Sequence, residues 1–275
     1  MKNKLLFLIL IILWGSSLTI QAQGDLLITP NRVVFKTGQI KEILNLLNTG
    51  KETTTFSVSF VQRRMNEDGS FTVITAPEEG QMFADPYLRI YPRRVTLLPG
   101  EAQVVMLQRR RRADMKPGEY RSHLFFRSEK NYFALGEESQ DSIEAFSVKL
   151  TPIFGISIPI IIRAGKVSAV AELTNLKLES HKNTQLTFTL NRKGDISIYG
   201  DFVVDYFPLK GKPYTVGAMK GVAVYTNINK RFISIRLNKP PKLDLNKGML
   251  KLRYTSRAGA GEKEVFAVKN LELGI

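Results

Sequence analysis

The sequence predicts an all-β protein made of two β-sandwiches in tandem. Short apolar runs alternate with polar residues at a period of two, and turn signals separate them at regular spacing. No window of helix length carries a 3.6-residue apolar stripe. The strand pattern also runs its course once and starts again after RAGKVSA, at residues 163–169. A chain of 275 residues is long enough for two domains of ordinary size, and 43% apolar residues suit well-formed cores.

In the first block the predicted strands are LLITPNRVVF (26–35), EILNLLN (42–48), TTTFSVSFVQ (53–62), SFTVITA (70–76), LRIYP (88–92), RVTLL (94–98), AQVVMLQ (102–108) and YRSHLFF (120–126). Thr49-Gly50, Asp68-Gly69, Pro99-Gly100 and Pro117-Gly118 mark turns between them, since glycine supplies a positive φ and proline presets a turn. Asp68-Gly69, between QRRMNE and SFTV, reads as a hairpin. In the second block the runs are 169–179, 184–191, 195–207, 221–226, 230–237, 249–256 and 263–273. The boundary is expected near 164–167, with a first domain over 24–163 and a second over 166–275. Short strands at this spacing suit a sandwich.

One segment does not fit an ordinary strand. FSVKLTPIFGISIPIII (146–162) is apolar at every even position from Phe146 to Ile162. Seventeen residues would extend about 55 Å, far beyond the usual five or six residues of a strand. Pro152 and Pro159 each remove a ladder donor, which a central strand rejects. The segment therefore reads as a long interrupted edge strand, of the sort that recruits another chain unless something covers it.

The N-terminus carries a targeting pattern. MKNK is a short basic region, LLFLILIILW an apolar core, and SSLTIQAQG a stretch of small and polar residues. This predicts a secretory signal peptide over 1–22, with Ala22 as the last residue before cleavage. An uncleaved anchor is the rival, but the apolar core is short for a span of about 20 residues. A formal charge of +15 could favour nucleic acid, anionic lipid or acidic protein. Export argues against nucleic acid. No cysteine is present, which excludes thiol catalysis, zinc–thiolate sites and iron–sulfur ligation.

Little in the sequence reads as an enzyme. The two histidines, His123 and His181, lack zinc-type spacing. His123 lies in an alternating strand and reads as structural; His181 lies in a polar turn. No phosphate-cradling glycine loop and no nucleophile elbow are present. QRRRR at 108–112 reads either as an anion site or as a solvated strand end, and adjacent strand residues point to opposite faces. Gly194-Asp195 and Asp201 read as turn residues rather than calcium ligands. No metal or cofactor is expected.

Taken in order, TPNRVVF, NLLNTGKETTTFSVSF, IYPRRVTLLPGEAQVVML, PGEYRSHLFFR and GISIPIIIR resemble the PapD-like periplasmic chaperones of pilus and fimbria assembly, over nearly the whole of the chain after residue 22. The resemblance implies two immunoglobulin-like sandwiches set at an angle, and no catalysis. It implies that the chaperone lends an edge strand to an exported pilin-like or fimbrial subunit, in donor-strand complementation. By the family's register Phe146, Val148, Leu150, Pro152 and Phe154 would fill the subunit groove. The alternative is that they belong to the protein's own core, as Ile156 to Ile162 are expected to. Arg32 would bind the subunit's terminal carboxylate, which a guanidinium fork suits; its plain alternative is a surface arginine.

Glu119, Arg163 and Asp244 match a family ion network at the domain joint, expected to set the interdomain angle. The family's anchoring lysine has no counterpart, because Pro159 stands at its place and Lys149 lies ten residues upstream. An outer-membrane assembly protein is a further partner the resemblance implies. A self-capping dimer is another way to cover the edge. Two other classes remain beside the chaperone: an exported structural or adhesive protein of the same fold, and a binder of anionic polymers.

Overall fold

The computed structural model describes residues 26–35, 38–110, 115–129, 155–180, 183–238, 245–257 and 264–274. The chain is nearly all strand and folds as two immunoglobulin-like β-sandwiches, each around its own apolar core. Among the described residues the one helical element is a short 3-10 turn, Asp85–Tyr87. No helix there is long and apolar enough to cross a membrane.

The first sandwich contains β1 (Leu26–Thr29), β2 (Val33–Phe35), β3 (Lys41–Asn48), β4 (Thr54–Met65), β5 (Phe71–Ile74), β6 (Leu88–Tyr91), β7 (Arg94–Leu97), β8 (Ala102–Arg109), β9 (Gly118–Glu129) and β10 (Gly155–Ala164). One sheet runs β1-β3-β8-β6. The other runs β2-β10-β9-β4-β5, with β7 also paired to β4. The run LLITPNRVVF, continuous in sequence, is split between the sheets. Its first half pairs with β3 and its second with β10. The break falls at Pro30, which has no N–H to continue a ladder.

The second sandwich holds β11 (Ala169–Ser180), β12 (Thr184–Gly194), β13 (Ile198–Phe207), β14 (Tyr214–Val224), β15 (Lys230–Arg236), β16 (Gly248–Ser256) and β17 (Val265–Leu273). Its sheets are β11-β12-β15 and β14-β13-β16-β17. β14 begins seven residues before the expected run at Gly221. Gly217 interrupts its apolar alternation, and a Cβ there would lie 2.9 Å from Leu237.

The Asp68-Gly69 hairpin forms between β4 and β5, but as a longer loop than two residues. Met65 pairs with Phe71, and Gly69 N–H donates to the Asn66 carbonyl at 2.8 Å. Gly69 has φ of 88°, so it supplies the left-handed position of the turn.

Three features of β10 position the site. It is antiparallel to β9 along its whole described length. It is parallel to β2 only at Ile160, Ile161 and Ile162, so upstream of Ile160 its other edge has no strand partner among the described residues. Ile158, Ile160 and Ile162 are buried in the first core, with Ile156 packed against it. Those isoleucines belong to the protein's own interior, as period two requires of one face of a strand.

Candidate functional site at the domain joint

Glu119 is the second residue of β9, and its side chain is fully buried between the sandwiches. Its Oε2 accepts hydrogen bonds from Ser197 N–H at 2.9 Å and Ser197 Oγ at 2.7 Å. Its Oε1 accepts from Arg121 Nη1 at 3.2 Å. Arg163, near the end of β10, brings Nε to 3.4 Å from Glu119 Oε2 as an ion pair and donates Nη2 to the Ser197 carbonyl at 3.0 Å. Arg121 is stacked 3.7 Å over the Tyr225 ring. Burial pulls its guanidinium below the ordinary value, and the neighbouring Glu119 charge pulls it back up. Buried charges must be paired, and this set is.

The β4–β5 hairpin makes the second contact between sandwiches. The Glu67 carbonyl accepts from Phe232 N–H at 2.8 Å. Asn227 Nδ2 donates to the Met65 carbonyl at 2.8 Å. Met65, Ala223 and Tyr225 form a small apolar cluster of their own.

A cleft of ≈ 450 Å³ opens beside this joint. Arg32, Arg63, His123, Ser157, Pro159, Tyr199 and Arg231 are among its lining residues. Arg32 follows the break between β1 and β2. It lies 4.4 Å over the Tyr199 ring, and its Nη2 donates to Ser197 Oγ at 3.3 Å. Arg63 Nε donates to Ser157 Oγ at 3.2 Å. Arg231 donates Nη1 to the Ala223 carbonyl at 2.9 Å. Among the described residues none of these three guanidinium groups has a carboxylate within ion-pair distance.

His123 forms part of the cleft wall, with its ring 5.8 Å from Phe71 and 6.1 Å from Tyr225. Burial, and then the positive charges of Arg121, Arg63 and Arg32, push it down to about 3. It is a neutral wall element rather than a charge carrier.

The structure thus brings Arg32, Glu119 and Arg163 to one joint. Phe146, Val148, Leu150, Pro152, Phe154 and Asp244 lie outside the described residues, as do residues 1–22, Arg111, Arg112 and His181. Asp201 is not the turn residue expected: it lies within β13 and accepts from Gly221 N–H of β14 at 2.8 Å, where the pairing of the two strands shifts register. Sequence reading missed Arg63, Arg231, Ser197 and Tyr199. They come from three separate stretches, β4, the start of β13 and β15, and nothing local in the sequence joins them.

No known family model matches the chain, and no curated protein matches it. Solved structures of chaperones are similar to it. The YadV chaperone is 11% identical, with 91% of this chain and 100% of that chain covered and a TM-score of 0.46. The Pseudomonas aeruginosa CupB2 chaperone is 15% identical, with 90% and 100% covered and a TM-score of 0.41. A chain of the Salmonella enterica SafA pilin–SafB chaperone complex is 12% identical, with 91% and 97% covered and a TM-score of 0.43.

Proposed function

We propose that this protein is a non-catalytic periplasmic chaperone. In this reading it is exported through the 1–22 signal peptide and binds a pilin-like or fimbrial subunit. It lends the subunit an edge strand continuing from β10 and holds the subunit's terminal carboxylate at Arg32. The observation that carries the reading is Arg32 itself. It is a half-buried guanidinium in the interdomain cleft, and it stands beside a strand whose upstream edge, like the guanidinium, has no partner of the expected kind among the described residues: no strand for the edge and no carboxylate for Arg32.

Two physical arguments support the reading. A guanidinium fork matches both oxygens of a chain terminus, and a 3.3 Å bond to a hydroxyl is a weak competitor for it. An open strand edge supplies the main-chain groups that β-augmentation uses, and alternate side chains supply the choice of partner. The even-numbered apolar positions that lie in the core at Ile156 to Ile162 continue upstream in sequence through Phe154, Pro152, Leu150, Val148 and Phe146.

The test is affinity capture of the tagged mature protein from its own envelope extract. Wild type runs beside Arg32→Ala and a Leu150→Asp/Phe154→Asp double variant. Wild type should retain a small β-rich exported protein that both variants lose. Retention that ignores both changes, or no retained protein, would favour an exported structural or adhesive role instead.

A further inference from the structure

The cleft holds more positive charge than Arg32 supplies, and its arrangement answers a question the sequence raised. Pro159 is one of the residues that line the cleft. It pairs with His123 on β9, which pairs in turn with Val61 on β4. Alternate residues of a strand share a face, so Ser157 and Pro159 of β10, His123 of β9 and Arg63 of β4 lie on one face of the sheet. On the other side, Val33 of β2 pairs in parallel with Ile160, which sets Arg32 beside Pro159. Arg32 and Arg63 therefore flank Pro159 from opposite sides. The hydrogen bond from Arg63 to Ser157 Oγ crosses the intervening strand β9 above His123, which accounts for the Arg63 charge felt by that ring.

We infer that Arg63 is the second arm of a carboxylate clamp, reaching over from β4 to replace the cation that Pro159 cannot provide. The inference rests on the carboxylate reading of Arg32. Arg32 and Arg63 are half-buried guanidinium groups that line one cleft without carboxylate partners among the described residues, an arrangement that an anion between them would stabilise. A carboxylate offers two oxygens, one for each fork. Ser157 holds the Arg63 side chain over His123. Arg231 adds positive charge from the second sandwich but is tied to the Ala223 carbonyl. The β10 strand contributes shape and a hydroxyl to the clamp, and β2 and β4 contribute the charge.

The test uses the mature full chain and one pair of probes. These are an acetylated decapeptide of alternating valine and threonine ending in a free carboxylate, and the same peptide ending in an amide. Affinities are measured by titration calorimetry at low salt, where partly exposed charges are least screened. Wild type should prefer the acid to the amide by roughly 10- to 100-fold, the worth of a charged hydrogen-bonded contact. Arg32→Ala and Arg63→Gln should each lose most of that preference, and Ser157→Ala should lose a smaller part. Adding Pro159→Lys to Arg63→Gln should restore it, because a lysine there lies between the two flanking positions. Thermal midpoints within a few degrees of wild type establish that the variants fold. If Arg32→Ala abolishes the preference and Arg63→Gln leaves it intact, the clamp is wrong and the carboxylate reading stands. If wild type does not tell acid from amide, the carboxylate reading falls, and the clamp with it.

Discussion

Glu119→Ala is the most informative single change at the joint. The side chain is fully buried, and three partners converge on it: Ser197 through two groups at 2.7 and 2.9 Å, Arg121 at 3.2 Å, and Arg163 at 3.4 Å. The Arg121 side chain is 5% exposed, against 34% for Arg163. Removing the carboxylate leaves Arg121 as a buried cation whose remaining partners are the Tyr225 face and a 3.5 Å contact to Asn227. Losing one partner of a buried pair costs about 3–5 kcal/mol, and most of that falls on Arg121, since water can reach Arg163.

The contact joins the two sandwiches, so the loss should appear in how they unfold together. Urea unfolding of wild type should be a single transition, and that of Glu119→Ala should separate into two. Small-angle scattering of the folded variant should show a changed domain orientation. Arg163→Ala should move the same observables in the same direction by less. An unfolding free energy within about 1 kcal/mol of wild type, with superimposable scattering profiles, would refute the reasoning that this carboxylate fixes the joint.

Two further outcomes follow from buried polar groups. His123 has a folded-state value of about 3 against 6.5 for the free side chain. The unfolded chain therefore takes up a proton between those values that the folded chain refuses. Stability should fall as pH drops below about 6.5, by about 2 kcal/mol between pH 7 and pH 5 from this residue alone. His123→Leu should flatten that part of the curve in urea titrations, and an unchanged slope would show that other groups produce it. Asn48 is fully buried, donates to the carbonyls of Glu52 and Leu97 at 2.8 and 3.0 Å, and accepts from Gly50 N–H at 2.9 Å. Asn48→Ala leaves those groups unpaired and should cost about 2–4 kcal/mol, read from the denaturation midpoint; a change below about 1 kcal/mol would mean that water replaces the side chain.

The strands were legible because period two is local. Runs such as KRFISIRL and MLKLRYTS carry their inward and outward faces in a few consecutive residues, and the structure forms β15 and β16 from them. Where the signal is not local, reading failed. LLITPNRVVF keeps its alternation across the break at Pro30, so nothing in the pattern marks the change of sheet. The early start of β14 was hidden by Gly217, which has no side chain to count. Arg32, Glu119 and Arg163 were found through a resemblance in motif order rather than from chemistry. Arg63 lies in QRRMNE, which reads in sequence only as one side of the Asp68-Gly69 hairpin. A charged residue shows its purpose only when its neighbours across the sheet are known, and those come from β9 and β10, some 60 and 94 residues further along the chain.

Ser197 meets the first sandwich through its amide, its hydroxyl and its carbonyl together. A lone bond between two bodies fixes a separation and leaves them free to swivel. Three bonds in different directions, converging on one residue, also fix the swivel, because turning shortens one while stretching another. The joint therefore works as a key in a lock rather than as a pin in a hinge. The two bodies should hold one orientation stiffly while Ser197 is seated, and once it withdraws they are left with the looser guidance of the β4–β5 hairpin contacts.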